Sequence, residues 1–125
     1  CGGGFLIQWL SERPDLQVGD VFLIAPAFGD TLVDNLEDKY DDPLLNGFFD
    51  FTPNPKLIER TKSLHVLYSD NDSIRVDRTI KLLKQSYPSI NQHTFSNYGH
   101  FTAEPAIKNG QFPELLELIE SAIDR

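Results

Sequence analysis

Leu64-His65-Val66-Leu67-Tyr68-Ser69-Asp70-Asn71-Asp72-Ser73 joins a short apolar run to a run of small polar and acidic residues. A strand wetted on one face alternates apolar and polar side chains, whereas one covered on both faces does not. Residues 64–68 therefore predict an interior strand of a parallel sheet. Ser, Asp and Asn side chains bond to nearby backbone and favour strand exits and helix entries, so 69–73 predicts the turn that follows. Working outward, Val21-Phe22-Leu23-Ile24-Ala25 has the same unbroken apolar character, and Asn91 to Phe95 is a more polar run suited to a sheet edge. Val76, Ile80, Leu83 and Tyr87 recur at helical spacing. Phe112, Leu115, Leu116, Ile119, Ala122 and Ile123 do so as well, with Pro113 placed for a first turn. Phe5, Leu6, Trp9 and Leu10 mark a further amphipathic helix.

The order is helix, strand, long insert, strand, helix, strand, loop, helix. Strands that alternate with helices define the α/β class, with a parallel sheet covered on both faces. Three strands are few for a doubly wound sheet, so the expectation is that further strands precede Cys1. The lack of Met, and a helix entered through Cys1-Gly2-Gly3-Gly4, agree with a chain that is one part of a larger domain. Glycine is used where a backbone turns tightly or approaches another group closely.

The insert, at about 26–60, breaks the rhythm. It carries Asp30, Asp34, Glu37, Asp38, Asp41, Asp42 and Asp50, with Phe48, Phe49 and Phe51 close together. Two readings stand: a cap over the carboxyl edge of the sheet with a short helix at Thr31 to Asp38, or a solvated acidic loop anchored by its aromatics.

A net charge of −8 opposes nucleic acid and anionic membrane surfaces. No apolar run approaches the roughly 20 residues that span a bilayer, and the N-terminus lacks a basic, signal-like start. A single Cys forms no internal disulfide, so the default compartment is the cytoplasm. The three histidines are not spaced as metal ligands, and neither a metal nor a cofactor is expected.

In an open parallel sheet, ligands bind beyond the carboxyl ends of the strands, which selects the residues just after each strand. Asp70 and Asp72 follow one strand, and Ser96-Asn97-Tyr98-Gly99-His100-Phe101 follows the next. An acid and then a histidine, both at strand ends, is the chain order that follows the nucleophile in α/β-hydrolases. The plainer reading makes the acids strand terminators or helix caps. His65 and His93, within strands, read as structural.

The sequence resembles the small serine hydrolases of the α/β-hydrolase fold, in particular the YdeN-like and retinoblastoma-binding-protein-like group. The resemblance runs through Cys1-Gly2-Gly3-Gly4 and its helix, Phe48-Phe49-Asp50-Phe51, Ser69-Asp70-Asn71-Asp72 and Tyr98-Gly99-His100-Phe101. It implies that 1–125 is the C-terminal part of one α/β-hydrolase domain with a cap-like insert. Matching Gln8-Trp9-Leu10 to the family's helix makes Cys1 and Gly2 the last two residues of the Gly-x-Ser-x-Gly elbow, so the serine would immediately precede Cys1. The resemblance further implies Asp72 as triad acid, His100 as general base, and the Cys1 backbone N–H as an oxyanion-hole donor. Where the family often has Asp-x-x-Val-Pro, this chain has Asp72-Ser73-Ile74-Arg75-Val76.

The expected activity is that of a carboxylesterase acting on a small acyl substrate, with Phe48, Phe49 and Phe51 lining an apolar pocket and the N-terminal part of the same protein as partner. Three alternatives remain at this point. One is a binding or regulatory protein that keeps the fold without turnover. A second is a hydrolase with Cys1 as nucleophile. A third, a nucleotide-binding domain, lacks the full Gly-x-Gly-x-x-Gly spacing and a basic residue beside Gly2-Gly3-Gly4.

Overall fold

The computed structural model describes residues 2–28 and 51–124. Cys1, most of the expected insert with its Thr31 to Asp38 helix, Phe48 and Phe49 lie outside them. The described chain is mixed α/β: α1 (Gly2–Ser11), β1 (Val18–Ile24), a 3-10 helix (Pro55–Arg60), β2 (Thr61–Ser69), α2 (Ile74–Ser86), β3 (Asn91–Phe95) and α3 (Pro113–Ile123). The strands form one sheet in the order β1-β2-β3, and both pairings are parallel. The apolar run at 64–68 is thus the central strand, and polar β3 is an edge, as its composition predicts.

Register fixes what each face carries. Val21 pairs with Leu64 and Leu23 with Val66. These four side chains are buried with Ile7 and Leu10 of α1 and Val76, Ile80 and Leu83 of α2 in the main core cluster. At roughly 1.5–3 kcal/mol for each large apolar side chain removed from water, this layer is the principal source of stability. The opposite face carries Phe22, His65, Leu67, His93 and Phe95. There α3 lies against β3, forming a groove of about 300 Å³ between His93, Phe95, Glu114 and Leu118.

The glycines that open α1 act through close approach. A Cβ on Gly4 would stand 2.9 Å from the Ala27 carbonyl oxygen and 3.1 Å from Phe28 Cβ, and one on Gly3 would stand 3.0 Å from Pro26 Cβ. Because residues 26–28 leave the carboxyl end of β1, these contacts bring the start of α1 to that edge of the sheet.

Residues 51–60, part of the expected insert, pack onto the body. Leu57 is fully buried. Phe51 stacks on Phe28 with ring centroids 4.8 Å apart. Arg60, only 8% exposed, donates from its guanidinium to the carbonyls of Leu10, Arg13 and Leu16 at and beyond the end of α1. These are carbonyls at a helix terminus, where intrahelical partners run out.

Candidate active site

β2 and β3 end side by side, with Ser69 opposite Phe95. The loops that leave them, 70–73 and 96–101, therefore emerge as neighbours at the carboxyl edge. His100 Nδ1 lies 2.9 Å from Asp72 Oδ2 and 3.2 Å from Oδ1. A carboxylate only accepts, so Nδ1 carries the proton and the neutral ring keeps its lone pair on Nε2. The Asp72 side chain is 4% exposed and that of His100 54% exposed, so the acid is sheltered and the ring reaches solvent. Asp72 Oδ1 also accepts the Ser73 N–H at 2.7 Å. Of the two acids in the run, Asp72 meets the histidine. Asp70 instead accepts the Asn97 N–H at 3.0 Å.

The 96–101 loop, which carries His100, is strained. Asn97, Gly99 and Phe101 have φ of 61°, 58° and 59°. Left-handed backbone is easy for Gly and tolerable for Asn, but for a residue as bulky as Phe it costs about 1 kcal/mol or more. Phe101 is held there by burial, its ring packed against Phe95, Tyr98 and Phe112. Tyr98 also stacks on Phe95. Its hydroxyl donates to Glu114 Oε1 in the first turn of α3. That bond raises the Tyr98 phenol above its ordinary range and lowers the Glu114 carboxyl.

Beside the dyad is an open polar groove of about 230 Å³, whose walls include Asn71, Asn97, His100, Thr102 and Glu104. Phe51, the described member of the expected substrate pocket, is not among its walls. Cys1, with its expected oxyanion-hole N–H, and Phe48 and Phe49 lie outside the described residues.

His65 and His93 belong to a separate array on the α3 face. The Asp20 carboxylate accepts from Ser63 Oγ, which contacts His65 Nε2 at 2.8 Å, and His65 Nδ1 contacts His93 Nε2 at 3.0 Å. Because the carboxylate can only accept, the donors run in one direction: Ser63 O–H to Asp20, His65 Nε2–H to Ser63, and His93 Nε2–H to His65 Nδ1. His65 thus offers Ser63 a proton instead of a lone pair, the reverse of what a nucleophile needs. Phe22, His65 and His93 stack in sequence. Burial lowers the His93 pKa, which favours the neutral form of that ring. Both histidines thus sit within strands in an array of their own, apart from the Asp72–His100 pair.

The sequence reading missed Ser69 and Asn71, whose side chains bind the 96–101 loop. Small polar residues interleaved with acids mark 69–71 as a strand exit, but not which loop their side chains would bind. Among the described residues, no group of three or more His, Cys, Asp or Glu is placed to hold a metal ion, and no helix is long and apolar enough to cross a membrane. Set against known proteins, the chain matches no family model, no curated protein and no solved structure.

Proposed function

We propose that this chain supplies the acid and base of a serine hydrolase of the α/β-hydrolase fold, acting on a small carboxylic ester, with the nucleophilic serine immediately before Cys1. The observation that carries the reading is the Asp72–His100 hydrogen bond at the ends of adjacent parallel strands, which leaves Nε2 without a partner among the described residues. The start of α1 lies at the same edge, where a strand-to-helix elbow would present its nucleophile.

In this reading His100 Nε2 takes the serine proton as Oγ attacks the acyl carbon, then delivers it to the leaving alkoxide. Asp72 holds the imidazole in the Nδ1–H tautomer and stabilises the imidazolium. In this reading the Cys1 N–H would donate to the developing oxyanion, a role worth roughly 3–4 kcal/mol of barrier. The polar groove beside His100 suits a leaving group with hydrogen-bonding capacity, while the apolar acyl preference stays with the Phe48 and Phe49 expectation.

The test is labelling with a fluorophosphonate, followed by mass spectrometry, on the polypeptide that includes the residues ahead of Cys1. Modification of a serine directly before Cys1, abolished in His100→Ala, is the expected result. Failure to label refutes the serine hydrolase, and modification of Cys1 replaces the proposed nucleophile.

A further inference from the structure

We propose that Ser69 and Asn71 are positioning residues that latch the acid loop to the base loop and so seat His100 Nδ1 on Asp72. The catalytic consequence rests on the hydrolase reading above, whereas the latch itself does not.

Four consecutive side chains, Ser69 at the end of β2 and Asp70 to Asp72 of the acid loop (70–73), engage four consecutive residues, 97–100, of the base loop (96–101). Ser69 Oγ accepts the Tyr98 N–H at 2.8 Å, Asp70 Oδ1 accepts the Asn97 N–H at 3.0 Å, and Asn71 Oδ1 accepts the Gly99 N–H at 2.8 Å. Asp72 then takes the His100 ring. The backbone N–H groups of 97, 98 and 99 are therefore all received by side chains from the neighbouring strand exit. That arrangement pins a segment whose residues 97, 99 and 101 all occupy left-handed backbone.

The arms are not equivalent. The Asp70–Asn97 and Asn71–Gly99 bonds are both exposed, and what sets Asn71 apart is its second donor, the hydroxyl of buried Ser69. Ser69 is fully buried, and its hydroxyl has a determined direction: it accepts from Tyr98 and donates to Asn71 Oδ1 at 2.7 Å. Asn71 is determined in turn. Its Oδ1 receives two donors, which leaves Nδ2 to donate to Asn97 Oδ1 at 3.2 Å. Because Asn71 directly precedes Asp72 and Gly99 directly precedes His100, the Asn71–Gly99 bond acts one residue from the dyad on both sides. Removing it frees the base loop to shift, and a displacement of about 1 Å is enough to spoil a catalytic alignment.

Imidazole NMR on the chain as it stands, at neutral pH, reads the latch directly through the His100 tautomer. The wild type should hold the Nδ1–H form with a hydrogen-bonded, downfield Nδ1 proton. Asn71→Ala and Ser69→Ala should lose that resonance and mix in the Nε2–H tautomer, because the tautomer follows the bond the other ring nitrogen makes. Asn71→Asp keeps an acceptor for Ser69 and Gly99 and should restore the Nδ1–H form. In the longer polypeptide, Asn71→Ala should lower kcat on an ester by about 10- to 100-fold with KM little changed. An unchanged His100 tautomer in Asn71→Ala, which alters an exposed side chain and should fold, overturns the latch. A tautomer change in a polypeptide with no esterase activity would leave the latch standing and sink the hydrolase reading.

Discussion

Replacing Arg60 with Met tests how α1 is held. The side chain makes three charge-assisted bonds: Nη1 to the Arg13 carbonyl at 2.6 Å and the Leu16 carbonyl at 3.0 Å, and Nη2 to the Leu10 carbonyl at 2.9 Å. Bonds of this kind contribute roughly 1.5–3 kcal/mol each. The full sum is too high, because the Leu10 carbonyl also accepts the Arg13 N–H and the Arg13 carbonyl the Leu16 N–H. Loss of the three bonds, with backbone amides still serving two of the carbonyls, gives about 3–5 kcal/mol. Met keeps most of the apolar stem, so little of this reflects packing. With a urea slope of about 2 kcal/mol/M, the midpoint should fall by about 2 M. Arg60→Lys should recover only part, since one ammonium does not reproduce a planar fork reaching three carbonyls. Equilibrium urea unfolding followed by Trp9 fluorescence is the assay. A loss below about 1 kcal/mol for Arg60→Met would refute the reasoning, because an exposed arginine would behave that way.

Gly4→Ala puts a methyl against the Ala27 carbonyl and the Phe28 side chain, and should destabilise by about 1–3 kcal/mol despite the better helix propensity of Ala; calorimetry checks it, with Gly2→Ala, whose Cβ meets nothing within 4 Å, as the control. Burial pushes the Tyr87 phenol up to about 12. The unfolded chain loses that proton near pH 10 while the fold retains it, so the Tyr87 contribution is intact below pH 10 and is lost as pH rises toward 12. Absorbance titration should find a tyrosine ionising near pH 12 that disappears in Tyr87→Phe.

Local periodicity made most of the elements legible. The β3 limits at Asn91 and Phe95 agree with the structure, and Val76, Ile80, Leu83 and Tyr87 are all buried as their spacing predicts. β1 starts earlier than its apolar run, because Val18-Gly19-Asp20 is held by pairing to β2 with little hydrophobic signal. The α3 pattern overstates burial: Leu116 is 57% and Ile123 69% exposed, and only Ala122 is buried. The 3-10 helix, six residues within the expected insert, is too short to show a helical period, although Asn54-Pro55 carries a helix-entry signal, with the Asn54 side chain capping Lys56 N–H. Asp72 and His100 were visible as residues that follow strands. The Arg60 contacts and the Ser69–Asn71 ties were not, since they join segments distant in sequence and leave no periodic trace.

The parallel pairing of β2 with β3 makes the Asp72–His100 contact a gauge of strand alignment. A slip by one residue would turn His93 and Phe95 to the opposite face, and a slip by two would carry the imidazole roughly 6.6 Å along the strand axis, far outside reach of the carboxylate. Only the correctly threaded sheet assembles this pair, so a misregistered chain, however compact, would lack the Asp72–His100 hydrogen bond.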